Sequence, residues 1–138
     1  MQENKEFIVF GHRGAPDLKM ENSMESFNIA IQLGVDGIEL DVMFSKDKQL
    51  IIYHDWTINN NLISELTYNQ IKSYNPEVPL LEDLIKDVCK KNIIINIEIK
   101  ANQLLSNHIE KTLIQIIYKY NIQSKVIISS FNFLVLFR

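Results

Sequence analysis

Two acidic residues alternate with apolar ones in the stretch Gly-Ile-Glu-Leu-Asp-Val at residues 37–42. A period of two is typical of a β-strand and places Glu39 and Asp41 on one face, with the apolar side chains on the other. Carboxylates paired in this way on a buried strand repel each other unless a cation lies between them, and such oxygen ligands suit Mg²⁺ or Ca²⁺. The alternative interpretation is an exposed edge strand with a polar face.

The same alternation recurs in the isoleucine-rich run at residues 93–100, where Asn96, Glu98 and Lys100 share one face. Glu98 could complete a metal site with three carboxylates. Lys100 could balance the negative charge or hold a phosphate group. A structural Glu–Lys pair at the end of a strand explains the pattern equally well.

Two histidines stand at the ends of apolar runs, His12 after residues 7–11 and His54 at the end of residues 50–54. Histidine is the side chain best suited to proton transfer near neutral pH. Arg13, in a glycine-flanked turn, carries the planar guanidinium that binds phosphate. Taken singly, each of the three is compatible with a structural or surface role. Together with the carboxylates and Lys100, they indicate metal-assisted cleavage of a phosphate ester.

Strands and helices that alternate along the chain must position these side chains. Spacing and capping residues predict four helices, from Asn22 or Ser23 to Gly34 and at 67–74, 80–90 and 103–120. Five apolar runs predict strands at 7–11, 37–42, 50–54, 93–100 and 126–130, and the polar residues 55–64 predict a loop. The link between the second and third strands is too short for a helical crossover, which needs about a dozen residues. It predicts a hairpin that brings His54 near Glu39. The remaining order predicts a parallel sheet in an α/β fold, with chemistry at the C-terminal ends of the strands.

Composition sets the broad class of the protein. The chain has 138 residues, of which 46% are hydrophobic and 22% charged, so residues 1–138 fit one domain with a real core and exclude whole-chain disorder. A net charge of −3 gives no case for binding nucleic acid or an anionic membrane. The single cysteine fits a reducing compartment, and we find neither a signal peptide nor a transmembrane run. We therefore expect a soluble, cytoplasmic protein.

Seven short motifs also occur in the order and spacing of a known family. Together they resemble the N-terminal portion of the glycerophosphodiester phosphodiesterase domain: Gly11-His12-Arg13-Gly14, Glu21-Asn22-Ser23 with Ser26-Phe27, Ile38-Glu39-Leu40-Asp41-Val42, Ser45-Lys46-Asp47, His54-Asp55, Ile97-Glu98-Ile99-Lys100 and Ser129-Ser130-Phe131. The resemblance implies a TIM-type (β/α) barrel of the phospholipase C-like phosphodiesterase kind. It also implies hydrolysis of glycerophosphodiesters to an alcohol and sn-glycerol 3-phosphate, a reaction of lipid and glycerol metabolism.

By the same resemblance, the matching residues acquire roles. Glu39, Asp41 and Glu98 would bind a divalent cation, Mg²⁺ or Ca²⁺. His12 and His54 would share the general acid and base roles, in either order. Arg13 and Lys100 would hold the phosphate of the substrate.

The chain departs from the family pattern in three places. The segment after His54-Asp55 is short and lacks glycine, so it predicts no headgroup preference, and Pro79-Leu80-Leu81-Glu82 stands for Pro-Thr-Leu-Glu. A TIM-type barrel takes about 250 residues, so we expect a domain truncated to about its first half. An exposed sheet edge and the apolar residues 131–137 then predict self-association.

Two alternatives to this function remain. The first is a non-catalytic remnant that binds metal or phosphate, or associates with a partner chain. The second is a related barrel phosphodiesterase that acts on sphingolipid or phosphoinositide.

Overall fold

The protein, described here from a computed structural model, has an α/β architecture over the described residues 7–100 and 108–137. The strands are β1 (Phe10–His12), β2 (Gly37–Phe44), β3 (Leu50–Ile52), β4 (Thr57–Ile58), β5 (Asn61–Leu62), β6 (Ile94–Ile99) and β7 (Val126–Ser129). The helices are α1 (Met24–Gln32), α2 (Tyr68–Tyr74), α3 (Leu81–Val88), α4 (Ile109–Lys119) and α5 (Phe133–Leu136). None of the helices in these two ranges is long and apolar enough to cross a membrane.

A parallel sheet in the order β1-β2-β6-β7 forms the centre of the fold. β3 runs antiparallel to the last part of β2, which confirms the predicted hairpin. Because β1 pairs with the beginning of β2, β3 with its end and β6 with nearly its whole length, every residue of β2 is buried. The alternative of an exposed polar edge strand is therefore wrong, and the two acidic residues of β2 lie on a central strand.

Helices α1, α3 and α4 pack their apolar faces against the sheet, with Phe27, Leu84 and Leu113 fully buried in this core. α1 begins at Ser23, whose Oγ accepts a hydrogen bond from Ser26 N at 3.1 Å, so Ser23 is the cap and Asn22 is not. Gly34 follows the helix with a φ of 85°, as expected of a C-terminal glycine.

The predicted loop at 55–64 is wrong over residues 57–62, which form the small hairpin β4–β5. Its two turn residues, Asn59 and Asn60, have φ values of 48° and 62°. A two-residue hairpin turn of type I′ needs positive φ at both positions, and asparagine adopts this conformation more readily than most residues. The turn was therefore not predicted, because the sequence has no glycine at these two positions.

Other segments also differ from the prediction. The strand expected at 7–11 begins only at Phe10, and the strand expected at 50–54 ends at Ile52. The long helix expected at 103–120 is α4 in the described part, and residues 103–107 of that prediction lie outside the described residues. The apolar residues 131–137 follow β7 and include the short helix α5. Val135 of this helix is buried, whereas Phe131 and Phe137 are largely exposed.

Candidate functional site

Three carboxylates meet where the parallel strands approach their C-terminal ends. Register places His12 beside Glu39 and Asp41 beside Glu98 on neighbouring strands. One oxygen each of Glu39, Asp41 and Glu98 lies within 4.8 Å of the others. We call these three residues the acidic cluster. The period-two patterns of β2 and β6 predicted their shared face, and the register supplies their proximity.

The acidic cluster combines like charges with burial. Glu39 and Asp41 are almost inaccessible to solvent. Burial raises the pKa of Glu39 above its ordinary value, and the nearby charges of Asp41 and Glu98 act in the same direction. A hydrogen bond from Arg13 N to Glu39 Oε2 at 3.0 Å opposes the rise in pKa.

One lysine partly neutralises the cluster. Lys100 Nζ lies 3.4 Å from Asp41 Oδ1 and 3.4 Å from Glu98 Oε1. Even with the Arg13 guanidinium, which lies near Asp41 but also pairs with Glu21, this ammonium group cannot balance three carboxylates, so the cluster keeps a net negative charge. Converging carboxylate oxygens with excess negative charge are the ligands that a hard divalent cation prefers. The acidic cluster could therefore hold such a cation.

Arg13 joins the cluster to the loop that follows β1. Its Nη1 donates to both carboxylate oxygens of Glu21, at 3.1 and 3.2 Å. Its buried Nε lies 3.4 Å from Asp41 Oδ2 but has no hydrogen-bond partner. The guanidinium thus lies between two carboxylates and divides its charge between them. Arg13 was predicted from the sequence to bind phosphate, and its contact with Glu21 was not predicted.

The two histidines lie at the same end of the sheet in different settings. His12 Nε2 is 3.8 Å from Glu39 Oε2, and its side chain is 70% exposed. His54 follows Tyr53, whose backbone N donates to Asp41 O at 3.0 Å. The Nδ1 atom of His54 lies 2.8 Å from Asp55 Oδ1. Each imidazole therefore has a carboxylate neighbour. For His54 the connection to the cluster runs through the backbone of the β2–β3 hairpin.

Asn22 is a site residue that the sequence analysis missed. Its Nδ2 donates to Asp41 Oδ2 at 3.0 Å, and its Oδ1 accepts from Asp41 N at 3.4 Å. Asn22 was interpreted from the sequence as a possible helix cap, so no further role was sought for it. The available signal was its place in the Glu21-Asn22-Ser23 motif.

The sequence profile of the glycerophosphoryl diester phosphodiesterase family matches residues 12–138. The chain belongs to this family. Among its relatives, a glycerophosphodiester phosphodiesterase of Caldanaerobacter subterraneus subsp. tengcongensis is 35% identical over 141 residues, which cover 91% of this chain and 58% of that protein. One from Bacillus altitudinis is 33% identical, with 90% of this chain and 58% of that protein covered.

Solved structures of glycerophosphodiester phosphodiesterases share the fold. The Thermotoga maritima enzyme superposes with a TM-score of 0.81 at 28% identity, over 96% of this chain and 58% of that one. A phosphodiesterase of Oleispira antarctica, solved with the product sn-glycerol-3-phosphate, has a TM-score of 0.84 at 25% identity, over 95% of this chain and 60% of that one. The fold is thus that of part of the family's TIM-type barrel, and the chain spans 58–60% of the length of these four relatives.

Proposed function

We propose that this chain carries the site of a metal-dependent glycerophosphodiester phosphodiesterase, which releases an alcohol and sn-glycerol 3-phosphate. The observation that carries the proposal is the acidic cluster on adjacent parallel strands, with His12, Arg13 and Lys100 around it, in a member of this family. The product named for the Oleispira antarctica phosphodiesterase supports the substrate class. We further propose that residues 1–138 belong to one such domain and form part of it.

Glu39, Asp41 and Glu98 are the proposed ligands of the cation, Mg²⁺ or Ca²⁺. When bound, a cation of this kind acts as a Lewis acid on a phosphoryl oxygen. Among the residues that the structure describes, Lys100 and Arg13 each place a positive charge 3.4 Å from Asp41. These two residues are the proposed phosphate ligands, because both can donate hydrogen bonds to its anionic oxygens.

His12 and His54 are the proposed proton carriers. One imidazole accepts a proton from the attacking nucleophile, and the other donates a proton to the departing alkoxide oxygen as its bond to phosphorus breaks. Each imidazole has a carboxylate neighbour that can orient it: Glu39 Oε2 lies 3.8 Å from His12 Nε2, and Asp55 Oδ1 lies 2.8 Å from His54 Nδ1.

Release of glycerol 3-phosphate from glycerophosphocholine by the purified chain tests this proposal. We expect release with Mg²⁺ or Ca²⁺ and none with chelator. His12→Ala and His54→Ala should each abolish release with little change in melting temperature, because both side chains contribute little to the core. His108→Ala, an exposed histidine before α4, is the matched control and should leave release unchanged.

Near-full activity of His12→Ala or His54→Ala would contradict the assigned proton transfer. A folded chain that releases no product under any of these conditions would instead favour a second candidate function, association with another chain. Exposed apolar residues on β7 and at residues 131–137 favour this candidate. We propose that the chain self-associates through this edge of the sheet.

A further inference from the structure

We propose that Asn22 is a positioning residue that orients the Asp41 carboxylate within the acidic cluster and thereby sets the affinity of the cluster for a divalent cation. The inference rests on the proposed function, because it takes the acidic cluster as the metal site. It assigns Asn22 no contact with substrate.

The first support is the two-point contact between Asn22 and Asp41. The side-chain amide donates to Asp41 Oδ2, and its oxygen accepts from the backbone N–H of the same residue. The second bond determines the orientation of the amide, because only its oxygen can accept a hydrogen bond. The NH₂ group must then face the carboxylate. One side chain therefore fixes Asp41 relative to its own backbone.

The second support is burial. Asn22 is 2% exposed and Asp41 is 1% exposed. A carboxylate and an amide removed from water in this way need partners within the protein, and each provides one for the other. The two oxygens of Asp41 then have different neighbours: Asn22 Nδ2 donates to Oδ2, which also lies 3.4 Å from Arg13 Nε, and Lys100 Nζ lies 3.4 Å from Oδ1. A cation bound at Oδ1 would replace the lysine contact and leave the asparagine contact in place.

The third support is the backbone of the loop between β1 and α1. Asn22 adopts a φ of 57°, a conformation that glycine would reach without strain. A purely conformational need would thus be met better by glycine, whereas the side chain of asparagine adds the contact with Asp41. Asn22 N also donates to Arg13 O at 3.0 Å, while Arg13 N donates to Glu39. The two ends of the loop are therefore attached to the two carboxylates of β2.

Titration calorimetry of the purified chain with Ca²⁺ alone, and with Mg²⁺ alone, tests the inference. Asn22→Gly removes the amide and relieves the left-handed backbone. We expect it to weaken cation binding by about 10- to 100-fold, the range typical of lost outer-shell contacts. The metal-free chain should still fold, with a lower melting temperature, because buried Asp41 loses a hydrogen-bond donor. Asn60→Gly is the matched control, because Asn60 is also left-handed but lies in the exposed turn of the β4–β5 hairpin. It should leave the dissociation constant unchanged.

Asn22→Ala provides a second variant without the amide and without a change in charge. It keeps the strain of the left-handed backbone, so it should weaken cation binding as Asn22→Gly does and lower the melting temperature further. Cation affinity equal to wild type in a folded Asn22→Gly or Asn22→Ala chain would overturn the inference and leave the proposed function intact. Weakened binding in a chain without phosphodiesterase activity would support the inference and contradict the proposed function. Failure of the wild-type chain to bind either cation would overturn both.

Discussion

Glu39 and Asp41 lie two residues apart on one face of β2, yet their carboxylates have different partners. Asp41 receives a hydrogen bond from Asn22 and lies near the cations of Lys100 and Arg13. Glu39 accepts a backbone hydrogen bond from Arg13 and faces an exposed histidine. The negative charge of Glu39 is therefore the less compensated of the two, in agreement with the rise in its pKa.

This difference predicts opposite effects on the stability of the metal-free chain. At neutral pH, Glu39→Gln should raise the free energy of unfolding by about 1 kcal/mol, because it removes a buried and poorly paired charge. Asp41→Asn should lower it by about 1–3 kcal/mol, because Lys100 and Asn22 lose the charge that they contact. Urea denaturation with chelator present measures both values. Adding Ca²⁺ should then stabilise Glu39→Gln less than wild type, since a ligand is missing.

The raised pKa of Glu39 also determines whether the free energy of unfolding rises or falls with pH. The folded chain keeps this proton to higher pH than the unfolded chain, so the free energy of unfolding falls as pH rises from the ordinary value of 4.5 through the folded pKa. Glu39→Gln should lack this decline. If the free energy of unfolding of the metal-free wild type and variant changed with pH in parallel, Glu39 would not be the cause of the decline.

At the scale of elements, strands and helices could be predicted from the short repeat of apolar residues along the sequence. Strand register and side-chain contacts could not, because they depend on residues far apart in the sequence. The alternation in β2 and β6 and the spacing in α3 led to correct strands and a correct helix. Register between strands follows from packing of whole elements, so the distances within the acidic cluster were not available. The β4–β5 hairpin was missed because asparagines occupy its turn. The contact of Asn22 with Asp41 was missed because helix capping already explained that asparagine.

Two glycines with positive φ test how closely the loop after β1 must pack on α1. Gly14 has a φ of 90°, and an added Cβ would lie 2.7 Å from the backbone carbon of Ser26. Gly34 has a φ of 85° with nothing within 4 Å of the added atom. Gly34→Ala should therefore cost only the backbone strain, about 1–2 kcal/mol. Gly14→Ala should cost about 1–3 kcal/mol more, because overpacking adds to the same strain.

Urea denaturation measures both costs, and calcium titration gives a second readout. Gly14→Ala should also weaken cation binding, because displacement of this loop moves Arg13 N away from Glu39 and Asn22 away from Asp41. Gly34→Ala leaves the loop in place and should bind as wild type does. Equal destabilisation by the two alanines would mean that the loop does not rest closely on α1.

At the scale of the whole molecule, the parallel sheet ends in β1 on one side and β7 on the other. Apolar side chains accumulate at both ends: Phe7 and Ile8 precede β1, while Ile127 and Phe131 belong to β7 or follow it, and all four are exposed. On the β7 side, Phe131, Phe133 and Phe137 together expose roughly 480 Å² in one copy, because a phenylalanine side chain offers about 200 Å². Burial of these surfaces in two copies would come close to the roughly 1,000 Å² that a specific interface needs.

The proposed self-association therefore predicts a mass above 16.1 kDa that increases with concentration in size-exclusion chromatography with light scattering. Ile127→Lys should shift the chain towards the monomer, because a strand that pairs with β7 would have to bury the ammonium group. Ile114→Lys is the matched control: Ile114 is 41% exposed on α4, and Ile127 is 48% exposed on β7. A helix surface offers no unpaired backbone to another strand, so this variant should associate as the wild type does. A monomeric mass for the wild type at every concentration, or equal dissociation by both lysines, would rule out pairing through the β7 edge.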